Sequence, residues 1–341
     1  MRLRPTPTRR ARLLGAVLPS VLVAAALSSC AAGEDAAQAA DDTLVIDYAT
    51  YNPLSLVIKD QGWLDDALAD DGTTVEWVKS EGSNDANEKL RAGAIDVGST
   101  AGSAALLARA NGSPIHAIDV FSQPEWSAIV VPGDSRLKDV GDLEGSTVAA
   151  TLGTDPYFFL LQALDEAGVD PDTVTVENLQ HADGAAALAA GRVDAWAGLD
   201  PMMAAAEQDG ARLLYRNVDF NSYGFLDATE SFLEEDPETA QVVVDVYDRA
   251  RAWVADHQDE AVAILAEAAA IDEEVARTVL TERTTLDGDH VPGQAQLDVL
   301  ERVGPVFVEN GDVDEQSSID DALEQLFDTT YAEKADAARV S

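Results

Sequence analysis

From Thr43 onward, short runs rich in β-branched and apolar residues alternate with longer stretches whose apolar positions recur at helical spacing. That alternation predicts an α/β fold with largely parallel sheets, since parallel strands need helical crossovers between them. Leu44–Ala49 and Thr147–Thr151 read as strands, each leading to a polar residue and a proline: Asn52-Pro53 in one case, Asp155-Pro156 in the other, an offset of 103. A second unit recurs 98 residues apart. Leu90-Arg91-Ala92-Gly93-Ala94-Ile95-Asp96 and Leu188-Ala189-Ala190-Gly191-Arg192-Val193-Asp194 share the pattern L-x-A-G-x-[IV]-D, in which a helix stops at glycine and a short strand follows. Two features with nearly the same offset predict two similar lobes.

The helix starts carry the candidate chemistry. Asn52-Pro53, Asp155-Pro156 and Asp200-Pro201 each place a capping residue before a proline suited to the first helical position, and Ser99-Thr100-Ala101-Gly102-Ser103 opens a fourth helix with hydroxyls and small residues. In open parallel sheets such turns lie at the carboxyl ends of the strands, where ligands bind. Two facing lobes would aim several helix N-termini into one cleft, an anion site built from dipoles rather than from Lys and Arg. Ordinary capping explains each of these residues equally well. Asp155 and Asp200 could spend their carboxylates on their own helix amides, and Trp126 and Trp196 are either cleft walls or lobe core. Asp96 and Asp194 read as strand-end carboxylates with backbone partners. In Pro237–Arg283, Val242-Val243-Val244, Val246-Tyr247, Ala250 and Trp253-Val254 recur at helical spacing, which makes Trp253 a core residue.

Composition narrows the partners. The 341 residues include 22 Lys+Arg against 63 Asp+Glu, a net charge of −41, with 46% hydrophobic residues. This is enough for packed cores and about two domains. No cluster of basic residues follows Arg12, which argues against nucleic acid, and an anionic membrane surface would repel the chain. One Cys excludes an internal disulfide and a Cys-based metal site. His116, His181, His257 and His290 are too scattered for a His-rich one, so no metal and no cofactor is expected.

The N-terminus changes the meaning of the charge. Residues 1–29 hold Arg2, Arg4, Arg9, Arg10 and Arg12 and no acid, so the chain from Cys30 carries 17 basic and 63 acidic residues, net −46. Arg-rich Met1–Arg12 precedes Leu13–Leu27, an apolar run of 15 residues that is short for a membrane span and reads as a secretion signal. Leu27-Ser28-Ser29-Cys30 resembles the processing site of bacterial lipoproteins, where the Cys thiol takes a diacylglycerol; Ala31–Asp42 is then a flexible tether. The expected location is the outer face of the bacterial cytoplasmic membrane, held by lipid at Cys30. Thr8-Arg9-Arg10 is a weak twin-arginine signature.

Val130-Val131-Pro132-Gly133-Asp134-Ser135, Asp142-Leu143-Glu144-Gly145-Ser146-Thr147-Val148-Ala149, Gly191-Arg192-Val193-Asp194-Ala195-Trp196 and Leu199-Asp200-Pro201 together resemble the solute-binding proteins of bacterial ABC importers, in the aliphatic sulfonate, taurine and nitrate branch. The resemblance spans roughly residues 43–285. It implies a periplasmic-binding fold of type II, two lobes joined by two hinge crossings and closing like a clamp. The expected organisation is a signal at 1–29, a tether at 30–42, lobe 1 at 43–129 and 223–341 with the C-terminal helices, and lobe 2 at 130–222. The crossings are expected in Ser127–Val131 and Ser222–Leu226. Binding positions implied by the resemblance are Tyr51, Asn52, Ser99, Thr100, Ser103, Gln123, Trp126, Gly153, Thr154, Trp196 and Asp200; His181 is a cleft donor or a capping residue. The Ser-Thr-Ala-Gly-Ser turn departs from the sulfonate pattern, which leaves the head group open.

The implied function is extracytoplasmic capture of a small organic anion, an alkanesulfonate or taurine, by a monomer that delivers it to an ABC permease. Within the same class, nitrate, an aromatic anion or a thiamine-precursor pyrimidine are alternatives. The rival class is an enzyme on the same fold, against which stand the export signal and the lack of a G-x-S-x-G elbow, an H-E-x-x-H helix or a Cys/His set. No phosphate-binding G-x-x-x-x-G-K-[ST] loop is present, so transport energy would come from another subunit.

Overall fold

The computed structural model describes residues Thr43–Val340; the expected secretion signal, Cys30 and the expected tether lie outside the described residues. The first lobe begins with β1 (Thr43–Tyr48), α1 (Pro53–Gln61), α2 (Trp63–Leu68), β2 (Thr74–Lys79), α3 (Ser83–Arg91), β3 (Val97–Ala101), α4 (Gly102–Ala110) and β4 (Ile115–Pro124). The second contains β5 (Ser127–Val131), β6 (Thr147–Ala150), α5 (Asp155–Ala167), β7 (Thr175–Asn178), α6 (His181–Ala189), β8 (Ala195–Leu199), α7 (Met202–Gln208) and β9 (Arg212–Tyr215). The chain then returns with β10 (Gly224–Thr229) and the helices α8 (Glu230–Glu235), α9 (Pro237–Asp256), α10 (Gln258–Ala269) and α11 (Glu273–Glu282). The short β11 (Thr284–Thr285), α12 (Gln294–Glu309) and α13 (Gln316–Gln325) complete it.

The two sheets share one plan. The first runs β11-β4-β10-β3-β1-β2 and the second β9-β5-β8-β6-β7. In each, a parallel trio is joined to an antiparallel strand that has just crossed from the other lobe: β10 pairs with β3, and β5 with β8. The repeat seen in sequence builds the same joint twice. Gly93 and Gly191 both adopt φ +64°, the left-handed turn that ends α3 and α6 without the Cβ penalty other residues carry. Asp96 then accepts from the Val45 amide at 2.8 Å while its own amide donates to the Val45 carbonyl at 2.7 Å. Asp194 does the same with Thr147 at 2.9 and 2.8 Å. These carboxylates pin strand ends, as their place in the repeat predicts.

The crossings lie slightly elsewhere than the apolar runs suggest. All five residues of Ser127–Val131 belong to β5, which pairs with β8 and β9, so the first passage between sheets is Glu125-Trp126. The second lies between Tyr215 and Gly224, ahead of most of Ser222–Leu226. Apolar runs of this kind become central strands because their side chains are buried on both faces.

Helices α9 and α10 pack on α1 and α2 of the first lobe. Trp253 is partly buried there, edge-on to Trp63 at 5.7 Å and stacked on His257 at 4.6 Å. Helix α12 touches both α4 and α5. Its Phe307 lies 4.5 Å from the Phe158 ring of the second lobe, and Asn310 donates to the Tyr157 hydroxyl at 2.8 Å. Burying a side chain of this size contributes roughly 1.5–3 kcal/mol, so this contact ties the lobes together at the first turn of α5.

Candidate functional site

Asp155 lies where the two lobes and both crossings meet. Thr154, not Asp155, is the residue preceding helix α5, so Asp155 is the first helical residue and its carboxylate is directed away from its own amides. Oδ1 accepts from Ser103 Oγ of α4 at 2.5 Å and from Ser222 Oγ at 2.7 Å. Oδ2 accepts from Trp126 Nε1 at 2.7 Å and from the Ser222 amide at 2.8 Å. Burial raises the Asp155 pKa, and these four donors oppose the rise. Trp126 is thereby fixed as a buried wall, edge-on to Tyr51 at 6.0 Å.

Behind that node lies a polar floor in the first lobe. Asn52 caps α1 by accepting from the Ser55 amide at 3.2 Å, and its Nδ2 donates to Ser99 Oγ at 2.8 Å and Tyr247 OH at 3.1 Å. Tyr51 OH donates to the Ser99 carbonyl at 2.9 Å. Ser99 donates both its amide and its hydroxyl to Asp47, at 2.9 and 2.8 Å, and Thr100 donates to Asp227 at 2.5 Å. Burial pushes Asp47 up to about 6 against the pull of the Ser99 bonds, and Asp227 up to about 7 against that of Thr100.

The third expected cap is also occupied. Helix α7 starts at Met202, one residue later than the proline suggests, and Asp200 Oδ1 accepts from the Ala204 amide at 2.9 Å. The other lobe reaches Asp200 through Arg283, whose Nη1 lies 3.2 Å from Oδ2. Arg283 also pairs with Glu207 at 2.5 Å. Burial pushes the Asp200 carboxyl up to about 6, the Arg283 charge opposing it.

Two residues implied by the resemblance stand apart. Trp196 is wholly buried among the second lobe's core residues, where a Cβ on Gly184 of α6 would come within 2.8 Å of its ring, and its Nε1 has no hydrogen-bond partner. Its position in β8 is responsible for the burial, because successive strand residues face opposite sides of the sheet. Gln123 is exposed at the end of β4, paired in register with Thr285 of β11. Tyr51, Asn52, Ser99, Thr100, Ser103, Trp126, Thr154 and Asp200 are all buried; Gly153 sits at the turn before α5 with φ +75°.

Asn52, Ser222 and Asp200 satisfy the starts of α1, α4 and α7, Ser222 by accepting from the Ser103 amide at 3.0 Å. Helices α3, α5 and α6 begin at Gly82, Thr154 and Gln180 with no side-chain cap. Two buried polar atoms at these starts have no hydrogen-bond partner: Asn84 Oδ1 in α3 and His181 Nε2 in α6. Burial pushes His181 down to about 3. Sequence reasoning passes over Gly82-Ser83-Asn84 because it holds no proline. Extending the 98-residue repeat upstream would have found it, since Ser83 and His181, which open α3 and α6, are separated by that same offset.

With this geometry in view, the relatives are informative. An Escherichia coli (strain K12) protein named for binding aliphatic sulfonates is 31% identical over 242 residues, 69% of this chain and 75% of its own. The alkanesulfonate-binding protein SsuA from Xanthomonas axonopodis pv. citri, solved bound to MOPS, superposes with a TM-score of 0.74 at 25% identity, over 82% of this chain and 97% of that one. The periplasmic aliphatic sulphonate binding protein SsuA from Escherichia coli gives a TM-score of 0.71 at 26% identity, covering 84% and 92%. The model of the NMT1/THI5-like family matches residues 55–261, more than half the chain, and the protein belongs to that family.

Proposed function

We propose that this protein is the extracytoplasmic substrate-binding component of an ABC importer, capturing a small organic anion, an alkanesulfonate or taurine, between its lobes and delivering it to a permease. The observation that carries the reading is the convergence on one seam of uncapped helix starts from both lobes, α3 from the first and α5 and α6 from the second, close to both crossings. Such ends present amides and partial positive charge to an anion without any Lys or Arg. The sulfonate-binding relatives share this fold over most of its length. The function is binding rather than catalysis, with no cofactor. Gly153 and Thr154 of the second lobe face Tyr51, Asn52, Ser99, Thr100, Ser103 and Trp126 of the first as the walls of the site. The protein works as a monomer, tethered through lipid at Cys30.

The surface charge of −46 acts at long range only weakly, since screening at physiological salt reaches about 8 Å, and donors at the seam act well inside that distance. Thermal unfolding with taurine, ethanesulfonate, nitrate and a hydroxymethylpyrimidine tests the reading. A ligand at 100 times its Kd adds about 2.7 kcal/mol of stability. Stabilisation by the sulfonates is expected; if neither sulfonate stabilises the protein, the reading fails. For the anchor, Cys30→Ser is expected to move the protein from the membrane fraction to the soluble one.

A further inference from the structure

Most polar groups along the seam are already taken. Ser103, Trp126 and Ser222 are committed to Asp155, Asn52 and Ser99 to the first lobe's floor, and Asp200 to Arg283 and the Ala204 amide. Asn84 Oδ1 and His181 Nε2 are the exceptions that sit at uncapped helix starts. They face each other across the lobes. A Cβ at Gly82 would stand 2.9 Å from Asn84 Oδ1 and 3.0 Å from His181 Nε2, so all three border one small volume, and a Cβ at Gly153 would lie 3.9 Å from Asn84 Cβ. His181 is 1% exposed.

We propose that Asn84 and His181, with the first amides of α3 and α6 and the Asp155 amide of α5, form the subsite that holds the charged head of the anionic ligand. This rests on the sulfonate-capture reading and names the residues that would carry it. Three positive helix ends favour an anion over an ammonium group at this point. The Asn84 amide can turn its NH2 toward the ligand, because neither orientation is fixed by a neighbour. The ring of His181 is fixed from behind. Thr151 Oγ1 gives its one hydrogen to the Leu179 carbonyl at 2.7 Å, so the 3.2 Å contact to His181 Nδ1 is a bond that the ring donates. The neutral ring therefore carries its lone pair on Nε2.

To donate to a sulfonate oxygen, Nε2 must gain a hydrogen while Nδ1 keeps its own, so the ring takes one proton from solvent as the anion arrives. Imidazolium and sulfonate then neutralise each other inside the closed seam. Among the acids nearby, Asp85 on α3 is paired with Lys89 and the Glu81 amide, and Asp155 on α5 with its four donors. Asp183 lies in the same first turn of α6 as His181.

Calorimetry at pH 6 with ethanesulfonate and taurine, in two buffers of different ionisation enthalpy, tests this on the wild type and on His181→Gln and Asn84→Ala. Each variant is expected to bind about tenfold to a hundredfold more weakly, the range for losing a hydrogen bond to a charged group. The wild type is expected to take up close to one proton per sulfonate and His181→Gln none. The proton count is read on the unaltered protein and so stands even where a variant folds poorly. Wild-type binding with unchanged affinity in both variants overturns the subsite; wild-type binding without proton uptake overturns the imidazolium. No sulfonate binding by the wild type overturns the function reading, and this inference with it.

Discussion

Asn52 and Asp155 stand at corresponding turns of the two lobes, after β1 and β6, and each precedes a proline at the start of a helix. Asn52 serves its own lobe: it caps α1 and braces Ser99 and Tyr247. Asp155 leaves its helix uncapped and joins Ser103, Trp126 and Ser222, which lie on the other lobe and both crossings. One scaffold thus holds a local joint on one side and a junction on the other. The difference follows from the groups within reach. An ionised carboxylate accepts from several donors at once, whereas an amide must both give and accept.

The largest effect is expected from breaking the junction. Asp155→Ala leaves four buried donors without an acceptor and is expected to lower stability by about 3 kcal/mol in urea unfolding, more than any change at Asn52. Equal losses at the two positions would break the comparison. Next comes the pH dependence of the first lobe's floor. With Asp227 pushed up to about 7 in the folded protein, the folded state holds a proton that the unfolded chain releases near pH 4. This contribution is complete below about pH 4 and lost as pH rises through 7. Asp227→Asn removes the cost, so its stability relative to wild type should grow by on the order of 2 kcal/mol between pH 4 and pH 6. A flat difference across that range would mean the carboxyl is ionised throughout.

Asn52→Ala is expected to cost about 2 kcal/mol, the sum of a lost helix cap and lost buried bonds, with no change in how the lobes join. The smallest effect sharpens what the halves share. Gly93→Ala and Gly191→Ala each force an alanine into φ +64°, and each should cost about 1 kcal/mol in the same unfolding assay. Unequal costs would show that the repeat is held differently in the two lobes.

The repeat was legible because local chemistry fixes it. A left-handed turn calls for glycine, and a strand-end carboxylate needs a residue of its size beside the neighbouring strand's amide; both constraints act over a few residues and leave marks at Gly93, Asp96, Gly191 and Asp194. The same is true of Asn52, whose partner at Ser55 is three positions away. Trp196 was not legible in this way. Its side of the sheet depends on the register of β8 against β6 and β5, and one step of register decides between core and cleft. Gln123 depends likewise on β4 extending to meet β11.

The sequence alone determined two α/β lobes, their repeat, the polar helix starts and the family resemblance, since periodicity and turn chemistry are properties of neighbouring residues. The tertiary structure decided which of those starts are spent and which are left open. Ser222 reaches Asp155 across 67 positions, and Arg283 reaches Asp200 across 83. Asn84 and His181 come together from different lobes, and no local pattern encodes the proximity of residues that far apart.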